Sequence, residues 1–366
     1  MDFKYFMPVK VFFGKNCIEK NSREFSMFGK KALIITGKKS AEKNGSLADV
    51  KKALENEKIS YAHYNKIEPN PTVEKVRDAA IFARESGADF IIGIGGGSPL
   101  DAAKAIAILA VNDIDDETLF GGAYNIKPLP VVAIPTTSGT GSEVTPYSIL
   151  TYNKISNKRS IGSEYIFPQV AFLDPAYTNS LSAEITVNTA VDALSHAIEG
   201  YLSIRATEVI TPFALESIRL IGECISELKE INVKDEVREK LLYASMLAGI
   251  VIAHTGTTAV HAMGYPLTYH RNIDHGRANG LVLYHYLKFL EPASVKVKHI
   301  IEAAGMKSVD EFGKVLEELF GEKEILSEKE IEEFTKTAMT AKNIKNTLPQ
   351  PEEKDIKKIF ENSFRR

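Results

Sequence analysis

The chain has 366 residues, of which 44% are hydrophobic and 25% charged, and its formal net charge is −3 at pH 7. This composition is ordinary for a globular protein, and the length allows two domains. The sequence has no basic run, no long apolar segment and no signal-peptide pattern, which argues against nucleic-acid and membrane partners. Its two cysteines, Cys17 and Cys224, form no CxxC pair, so we expect a reducing, cytoplasmic location.

The first half of the chain alternates strand-like and helix-like segments. Buried strands are predicted at 31–37 and in the stretches SYAHYNKI, ADFIIGIG and LPVVAIPTT. Helices are predicted at 46–57, with Ser46 as the N-cap, at 72–87 and at 98–110. Strands that alternate with helices predict a parallel sheet with helices on both of its faces.

The pattern changes between residues 147 and 178. YSILTY and KRSIG predict a hairpin, QVAFLD a last strand, and residues 174–186 a polar linker. Beyond this linker the chain is rich in Ala and Leu and reads as helical nearly to its end. We therefore predict an α/β dinucleotide-binding domain over residues 1–178 and an all-α domain over residues 179–366.

A run of glycines follows the third predicted strand. Gly95, Gly96 and Gly97 stand before Ser98, which we predict as the N-cap of the next helix with Asp101 in its first turn. Glycines let the backbone approach a ligand, and the free N–H groups of a helix start favour a pyrophosphate. The alternative is a simple tight turn. The spacing departs from GxGxxG and does not follow the first strand, so this is not the usual Rossmann fingerprint.

A second loop, PTTSGTGSE at 135–143, follows the fourth predicted strand. It is rich in hydroxyls and glycines, and it lies at the carboxyl end of a parallel strand, where such sheets bind ligands. Thr136 and Thr137 begin the loop, and Lys158, beyond the hairpin turn, would add a positive charge. A solvated turn is the alternative.

The stretch VDALSHAIEGYLS carries Asp192 and His196, which are one helical turn apart and so leave the same helix face. They form either a surface pair or two arms of a metal site. Two further histidines, His261 and His275, begin HAMGYPL and HGRANG. One carboxylate with three neutral imidazoles suits Fe²⁺, Zn²⁺, Co²⁺ or Ni²⁺. Spacing does not show which of the eight histidines converge, and each taken alone could be a packed or surface residue.

These motifs together give the chain a resemblance over its whole length to the iron-containing (group III) alcohol dehydrogenases, of the butanol and 1,3-propanediol dehydrogenase kind. The stretches that carry the resemblance are YFMPVKVFFG, EPNPT, GIGGGSPLDAAKA, IPTTSGTGSEVT, QVAFLDP, NTAVDALSHAIEGYLS, VHAMGYPL and DHGRANG. Each is moderately specific, and their order along the chain matches the family.

The resemblance implies the two-domain fold shared with dehydroquinate synthase and glycerol dehydrogenase, with the site in the cleft between the domains. It implies that the metal ligands are Asp192, His196, His261 and His275, with no further catalytic side chain. It implies a dinucleotide site lined by Asn70, Gly95, Gly96, Gly97, Ser98, Asp101, Thr136, Thr137 and Lys158. The expected metal is Fe²⁺, with Zn²⁺ or another divalent ion as the alternative, the substrate is a small alcohol or aldehyde, and the assembly is a homodimer.

One position departs from the family pattern. Many members have a second histidine four residues after the third metal ligand, often assigned to proton relay, whereas this chain has Tyr265. A phenol has an unperturbed pKa of about 10, which suits it poorly to that task. Tyr265 itself, His254 and His270 are the candidates for the relay, and plain packing is the alternative for the two histidines.

The loop after the first predicted strand, IITGKKSAEKN, predicts the dinucleotide. An NAD site usually places an acidic residue there, but here Gly37 is followed by Lys38, Lys39 and Ser40, with no acid before Glu42. We therefore predict NADP(H), with NAD(H) as the alternative. Competing functions are an NAD-dependent polyol dehydrogenase of the glycerol type, a dehydroquinate-synthase-like lyase and a non-catalytic dinucleotide-binding protein. The lyase would need many Lys and Arg to bind a phosphate and a carboxylate, and the second half is not rich in such clusters near its motifs.

Overall fold

Eight strands lie in the first half of the chain, six of them in one parallel sheet. The computed structural model describes residues 2–230 and 233–365. The order across the large sheet is β1-β8-β5-β4-β2-β3, and β6 and β7 form a separate antiparallel hairpin. The strands are β1 (Lys10–Phe13), β2 (Lys31–Gly37), β3 (Ser60–Ile67), β4 (Phe90–Gly95), β5 (Val131–Pro135), β6 (Tyr147–Tyr152), β7 (Asn157–Gly162) and β8 (Val170–Leu173).

Helices cover both faces of this sheet, as predicted. They are α1 (Cys17–Lys20), α2 (Ser40–Lys43), α3 (Ser46–Asn56), α4 (Val73–Ser86), α5 (Gly97–Leu109) and α6 (Asp116–Gly121). Alternate residues of a strand point to opposite faces. Leu33 and Ile35 therefore belong to a core with α4 and α5, whereas Ile34 belongs to a second core with α3.

The order of the strands reverses between β2 and β4. From β2 the chain proceeds outward to β3 and then returns to place β4 on the other side of β2, with β5 beyond it. Ligands of open α/β sheets bind at such a switch point, outside the carboxyl ends of the strands. The glycine run after β4 and the Gly37 loop after β2 therefore flank the expected ligand crevice of this sheet.

Two predicted helix caps are wrong. Gly45 and Gly96 occupy the N-cap positions of α3 and α5, and neither provides a side-chain cap. Ser46 is instead the first residue of α3, and its hydroxyl donates to Asn44 Oδ1. Ser98 lies inside α5 and accepts a hydrogen bond from the backbone of Asn70. In both cases a hydroxyl found a partner outside its own helix start, which a local pattern does not reveal.

The predicted linker at 174–186 is also shorter than expected. Pro175–Thr178 form a 3₁₀ turn and the next helix already begins at Ala183, because the Ser182 hydroxyl accepts from Ile185 N and caps it. The strand β1 was not predicted, since four residues carry too little periodicity.

The second half of the described chain is entirely helical, as predicted. Its helices are α7 (Ala183–Leu202), α8 (Thr211–Glu223), α9 (Ile225–Lys229), α10 (Asp235–Thr255), α11 (Ala259–Arg271), α12 (His275–Leu290), α13 (Val295–Ala303), α14 (Val309–Phe320), α15 (Glu328–Met339) and α16 (Glu353–Phe364). The long helix α7 packs against α8, α10 and α12 and is buried from Val191 to Leu202. The core of this half is therefore built around α7.

The described chain divides into two compact units. The sheet unit comprises Met7–Thr137 and Gly141–Leu181, and the helical unit comprises residues 2–6, 138–140 and 182–365. From the sequence we predicted the change at residue 178, and we did not predict that the two short segments belong with the helices. Within the described residues no single helix is long and apolar enough to cross a membrane; α10 and α11 would be so only as a pair, and they are bent by 109° to one another.

Candidate metal centre and nucleotide loops

A polar stripe runs along α7, inside an otherwise apolar core. Asp192, His196 and Glu199 follow one another at intervals of four and three residues, so they share one helix face. All three are buried, with residue exposures of 5% or less. Buried ionisable groups are stable only when they are paired, hydrogen-bonded or bound to a metal. The stripe therefore indicates a built site rather than the surface pair that the sequence left open.

Three ligand-type side chains from three helices converge on this stripe. Asp192 of α7, His261 of α11 and His275 at the start of α12 each offer one ligand atom, and the three atoms lie within 4.8 Å of one another. Asp192 Oδ1 is 3.8 Å from His261 Nε2 and 3.9 Å from His275 Nε2. Atoms bound at about 2.1 Å to one tetrahedral ion lie roughly 3.4 Å apart. The three residues thus fit a single divalent cation after a small contraction.

The amide of Asn279 marks the point on which these atoms converge. Its Nδ2 is 3.0 Å from Asp192 Oδ1, 3.1 Å from His261 Nε2 and 3.4 Å from His275 Nε2. An amide nitrogen donates and cannot accept, and its two hydrogens suit the two nearest atoms, Asp192 Oδ1 and His261 Nε2, which then present lone pairs. A neutral His275 can present a third lone pair from Nε2. One carboxylate and two imidazole lone pairs directed at one region form a nitrogen and oxygen donor set typical of Fe²⁺ or Zn²⁺.

His196 lies beside this group rather than within it. Its ring stacks on the ring of His261, with centroids 4.6 Å apart and planes 18° apart, and its Nδ1 faces the carbonyl of Gly139 at 3.3 Å. With Nδ1 donating to that carbonyl, Nε2 keeps its lone pair. Burial lowers the pKa of His196, which favours the neutral imidazole that a metal requires. The structure thus brings three of the four predicted ligands together and leaves the fourth adjacent.

In the sheet unit the glycine run and the threonine loop lie against each other. Gly95 has a φ of +149°, and a Cβ there would lie 2.6 Å from the Pro99 ring, so no other residue fits. Gly96 faces the side chain of Thr137, and Thr136 N donates to the Gly95 carbonyl at 2.9 Å. The two loops therefore form one cradle of backbone and hydroxyl groups at the carboxyl ends of β4 and β5, of the kind that receives a pyrophosphate.

Asn70 ties three parts of this cradle together. It has a left-handed backbone, with φ at 54°. Its backbone N–H donates to Ser98 Oγ at 3.1 Å, its carbonyl accepts from the Thr151 hydroxyl at 2.9 Å, and its Oδ1 accepts from Lys158 Nζ at 2.8 Å. The predicted site residues Asn70, Ser98 and Lys158 are thus neighbours, although they are far apart in sequence.

Asp101 is held differently from its predicted neighbours. Its carboxylate accepts from the Ser142 hydroxyl at 2.6 Å and from Ile149 N at 2.9 Å, and burial raises its pKa. The Ser142 hydroxyl also accepts from Lys104 Nζ at 2.8 Å. Both oxygens of Asp101 therefore bind the protein itself, and they tie the start of the hairpin to α5. Gly37 and Ser40, the remaining predicted residues, lie at the end of β2 and the start of α2.

Comparison with known proteins identifies the family. The model described as iron-containing alcohol dehydrogenase matches residues 8–175, and the model of that family's C-terminal domain matches residues 186–364. The chain belongs to the iron-containing alcohol dehydrogenase family. It is 36% identical over 291 residues to the 1,3-propanediol dehydrogenase of Klebsiella pneumoniae, covering 78% of this chain and 75% of the relative.

Two further comparisons agree with this assignment. The NAD-dependent methanol dehydrogenase of Bacillus methanolicus is 32% identical, and the match covers 82% of this chain and 80% of the relative. The crystal structure of an iron-containing alcohol dehydrogenase from Thermotoga maritima is 42% identical and covers 99% of both chains, with a TM-score of 0.92. The resemblance drawn from the sequence motifs and the predicted fold class are confirmed.

The three predicted candidates for a proton relay lie in different surroundings. The Tyr265 ring stacks on His275, with centroids 5.7 Å apart and planes 10° apart, and meets His261 edge-on. His254 donates from Nδ1 to the Ile250 carbonyl and accepts at Nε2 from Phe6 N, so both of its ring nitrogens are occupied. His270 stacks on Phe334. Of the three, only Tyr265 contacts the metal group, by which we mean Asp192, His261 and His275.

Two residues beside Asp192, His261 and His275 were not predicted from the sequence. Asn279 stands four residues after His275, within HGRANG, and Glu199 stands three residues after His196. The signal for Glu199 was present, because a carboxylate in an alanine-rich helical stretch on the same face as Asp192 and His196 is itself unusual. Asn279 gave no comparable signal, since a single amide in a helix is more often solvated.

Proposed function

We propose that this chain is a metal-dependent, NADP(H)-linked alcohol dehydrogenase and aldehyde reductase that acts on small primary alcohols or diols. The observation that carries the proposal is the convergence of Asp192, His261 and His275 around one point, with the stacked His196 as the fourth ligand. The names of two relatives, a 1,3-propanediol and a methanol dehydrogenase, support substrates that carry a primary hydroxyl.

The exposure of the ligands supports a catalytic rather than a purely structural site. The side chains of His261 and Asp192 are 2% and 4% exposed, whereas that of His275 is 26% exposed. Structural metal sites are closed, while catalytic sites keep one position open. The open side next to His275, bordered by the ring of Tyr265, is where we expect a small alcohol to enter.

Each residue of the two sites has a distinct role in the proposed reaction. Asp192, His196, His261 and His275 would hold a divalent ion such as Fe²⁺ or Zn²⁺, which when bound polarises the substrate oxygen and lowers the pKa of an alcohol. Asp192 compensates part of the positive charge. Tyr265 limits the space beside His275, and no side-chain nucleophile is needed. In the sheet unit the Gly95–Gly97 backbone would bind the pyrophosphate, and Lys158, oriented by Asn70, adds a positive charge.

The choice of NADP(H) rests on the loop after β2. A Cβ at Gly37 would meet only ordinary contacts, 3.5 Å from the Ile67 carbonyl and 3.8 Å from Ser40 Oγ, so there is room beside Ser40. Lys38 forms a pair with Glu68, but both are exposed, and such pairs are weak enough for a phosphate dianion to compete. A phosphate that gains one charge-assisted hydrogen bond gains about 1.5–3 kcal/mol, or roughly tenfold to a hundredfold in affinity.

A steady-state assay with the metal-loaded protein tests the function. We expect reduction of NADP with butanol or 1,3-propanediol as substrate, and much slower reduction with glycerol. Reduction with glycerol and NAD in preference to these would favour the polyol dehydrogenase. No turnover of any alcohol by protein that carries a full equivalent of Fe²⁺ would reject the proposal.

Substitution of Gly37 tests the dinucleotide preference. Gly37→Asp should lower kcat/KM with NADP at least tenfold and shift the preference toward NAD, because a carboxylate repels the 2′-phosphate and binds the ribose hydroxyls. Gly37→Asn is the matched control, since it has the same size without the charge and should shift the preference far less. Equal or higher kcat/KM with NAD in the unmodified protein, at the same metal loading, would overturn this reading of the loop.

A further inference from the structure

A buried carboxylate beside the metal group has no place in the function proposed above. Glu199 of α7 is 0% exposed, and its two oxygens have different partners. Oε1 accepts from Thr258 N at 2.7 Å, from the Thr258 hydroxyl at 2.8 Å and from His261 N at 3.2 Å. Oε2 accepts from His261 Nδ1.

The two oxygens have two separate roles, one at the N-terminus of α11 and one at the His261 ring. Thr258 is the N-cap of α11, and its side chain makes no cap hydrogen bond, so the first N–H groups of that helix need another acceptor. Oε1 accepts from Thr258 N and His261 N, while Ala259 N donates to the Thr347 hydroxyl. A negative charge at a helix N-terminus is also stabilising. Oε2 is directed at the imidazole of His261. The capping role alone would explain only one of the two oxygens.

The contact at Oε2 decides which nitrogen of His261 carries the proton. A carboxylate only accepts hydrogen bonds, so His261 Nδ1 must be the N–H nitrogen. Nε2 of the neutral ring then carries the lone pair. On that side the Asn279 amide donates to Nε2 at 3.1 Å, which requires the same lone pair. The partners on both sides of the ring therefore select one tautomer, the one that can bind a metal through Nε2.

We propose that Glu199 is a positioning residue that fixes the Nδ1–H tautomer and the ring orientation of His261, so that Nε2 is presented to the metal. The inference rests on the metal site of the proposed function. Carboxylate groups that hold a metal-bound histidine in this way commonly change metal affinity 10–100-fold when they are removed. Helix α7 would thus provide two ligands and also the support for a third ligand on another helix.

The substitution Glu199→Gln distinguishes the capping role of Oε1 from the contact of Oε2 with His261. Its amide oxygen can still accept from Thr258 N and His261 N, and its NH₂ group then faces His261 Nδ1 as a donor. The opposite amide orientation would leave two backbone N–H groups facing an NH₂ group, which is unfavourable. The variant should therefore keep the cap of α11 while the His261 proton moves to Nε2.

Two measurements follow, neither of which depends on turnover. ¹⁵N NMR of histidine side chains in metal-free protein should show the Nδ1–H tautomer for His261 in the unmodified chain and the Nε2–H tautomer in Glu199→Gln, with assignment from His261→Ala. Titration with Zn²⁺ against a chelator should show affinity about 10–100-fold weaker in Glu199→Gln. Thr258→Val is the matched control: it removes a hydroxyl donor at Oε1, so it should lower the melting temperature without changing the His261 tautomer.

The outcomes are distinct from those that test the function. An Nε2–H tautomer of His261 in the unmodified protein would overturn the inference. This test needs no variant, so the inference can be contradicted even if Glu199→Gln fails to fold. Unchanged Zn²⁺ affinity in a folded Glu199→Gln also overturns it. If the unmodified protein binds Zn²⁺ with the expected tautomer but oxidises no alcohol, the proposed function fails and the role of Glu199 stands.

Discussion

The two candidate sites are built in opposite ways. In the helical unit the metal group consists of single side chains that project from α7, α11 and α12. In the sheet unit the nucleotide loops follow the carboxyl ends of β2, β4 and β5, and most of what they offer is backbone N–H groups, hydroxyls and one cation. Binding at the first site depends on the identity of a few side chains, whereas binding at the second depends mainly on the backbone conformation of the loops.

Charge is handled differently as well. Hydrogen bonds from the His261 ring and from backbone N–H groups stabilise the Glu199 carboxylate, and the Asn279 amide donates to Asp192. The remaining lone pairs of Asp192 and the histidines are directed at one point. In the sheet unit Asp101 and Lys104 are buried together and hold Ser142 between them, while burial lowers the pKa of Lys104 to about 8. The buried charges of the metal group thus prepare a binding site, and those of the sheet unit stabilise loops. The metal group should therefore tolerate substitution far less than the loops.

The sharpest test of this contrast is His261→Ala. Loss of a ligand should remove bound metal and activity together, by more than the roughly 10–100-fold that loss of a supporting residue causes. The protein should still fold, because removal of one ring leaves a cavity that is small compared with the extensive hydrophobic core of the helical unit. Elemental analysis and circular dichroism check both points. His270→Ala, which removes a ring stacked on Phe334, is the control and should keep its metal. A His261→Ala protein with a full equivalent of metal would refute the ligand assignment.

Gly264→Ala tests how closely the helices of the metal group must pack. A Cβ at Gly264 would lie 2.0 Å from Asn279 Oδ1, so the amide must move away from Asp192 and His261. We expect metal affinity to fall about tenfold, as for other supporting residues. In a helix with space to spare, the same change stabilises by about 0.5–1 kcal/mol. Isothermal titration with Zn²⁺ and thermal melting measure the two effects.

Gly121→Ala in the sheet unit is the control for Gly264→Ala, because a Cβ there meets nothing within 4 Å. Its melting temperature should be equal or higher. A Gly264→Ala protein that is as stable and binds Zn²⁺ as tightly would show that Asn279 can be repositioned freely, and would weaken the contrast between the two sites.

Asn70→Gly tests the loops of the sheet unit. Glycine keeps the left-handed backbone at φ 54° and its hydrogen bonds, and only the contact with Lys158 is lost. The KM for the dinucleotide should rise about twofold to tenfold, since one hydrogen bond contributes about 0.5–1.5 kcal/mol, and kcat should change little. Asn70→Ala should raise KM similarly but also unfold more easily, by about 1 kcal/mol of backbone strain. An unchanged KM in both variants would place Lys158 outside the dinucleotide site.

The smallest effect is expected for Tyr265→Phe. Phenylalanine keeps the ring that stacks on His275, and a neutral phenol is a poor general base near pH 7. The loss in kcat should be far below the roughly 10²–10⁴-fold that a general base contributes. Tyr265→Ala, which removes the ring as well, should be worse. A fall of several orders of magnitude in Tyr265→Phe, with metal and dinucleotide retained, would make the hydroxyl central to the reaction.

The sequence by itself determined the elements whose signals are local. Alternating strands and helices established the parallel sheet, and the order of motifs established the family. The threonine loop after β5 was placed in advance at a ligand-binding edge, because parallel sheets bind ligands at the carboxyl ends of their strands. Asp192 and His196 were correctly predicted to share one helix face, because helix geometry alone relates residues that are four apart.

Only the tertiary structure decided what depends on contacts between distant segments. Spacing left open which histidines converge, and the tertiary structure placed His261 and His275, which the family resemblance had implied as ligands, next to Asp192. It gave Ser46 and Ser98 partners other than the predicted caps, and it directed Asp101 inward. Asn279 and the contact of Glu199 with His261 emerged only from the packing of α7, α11 and α12. The physical reason is that helical periodicity fixes which face a side chain occupies, whereas its partner is set by where another helix crosses that face.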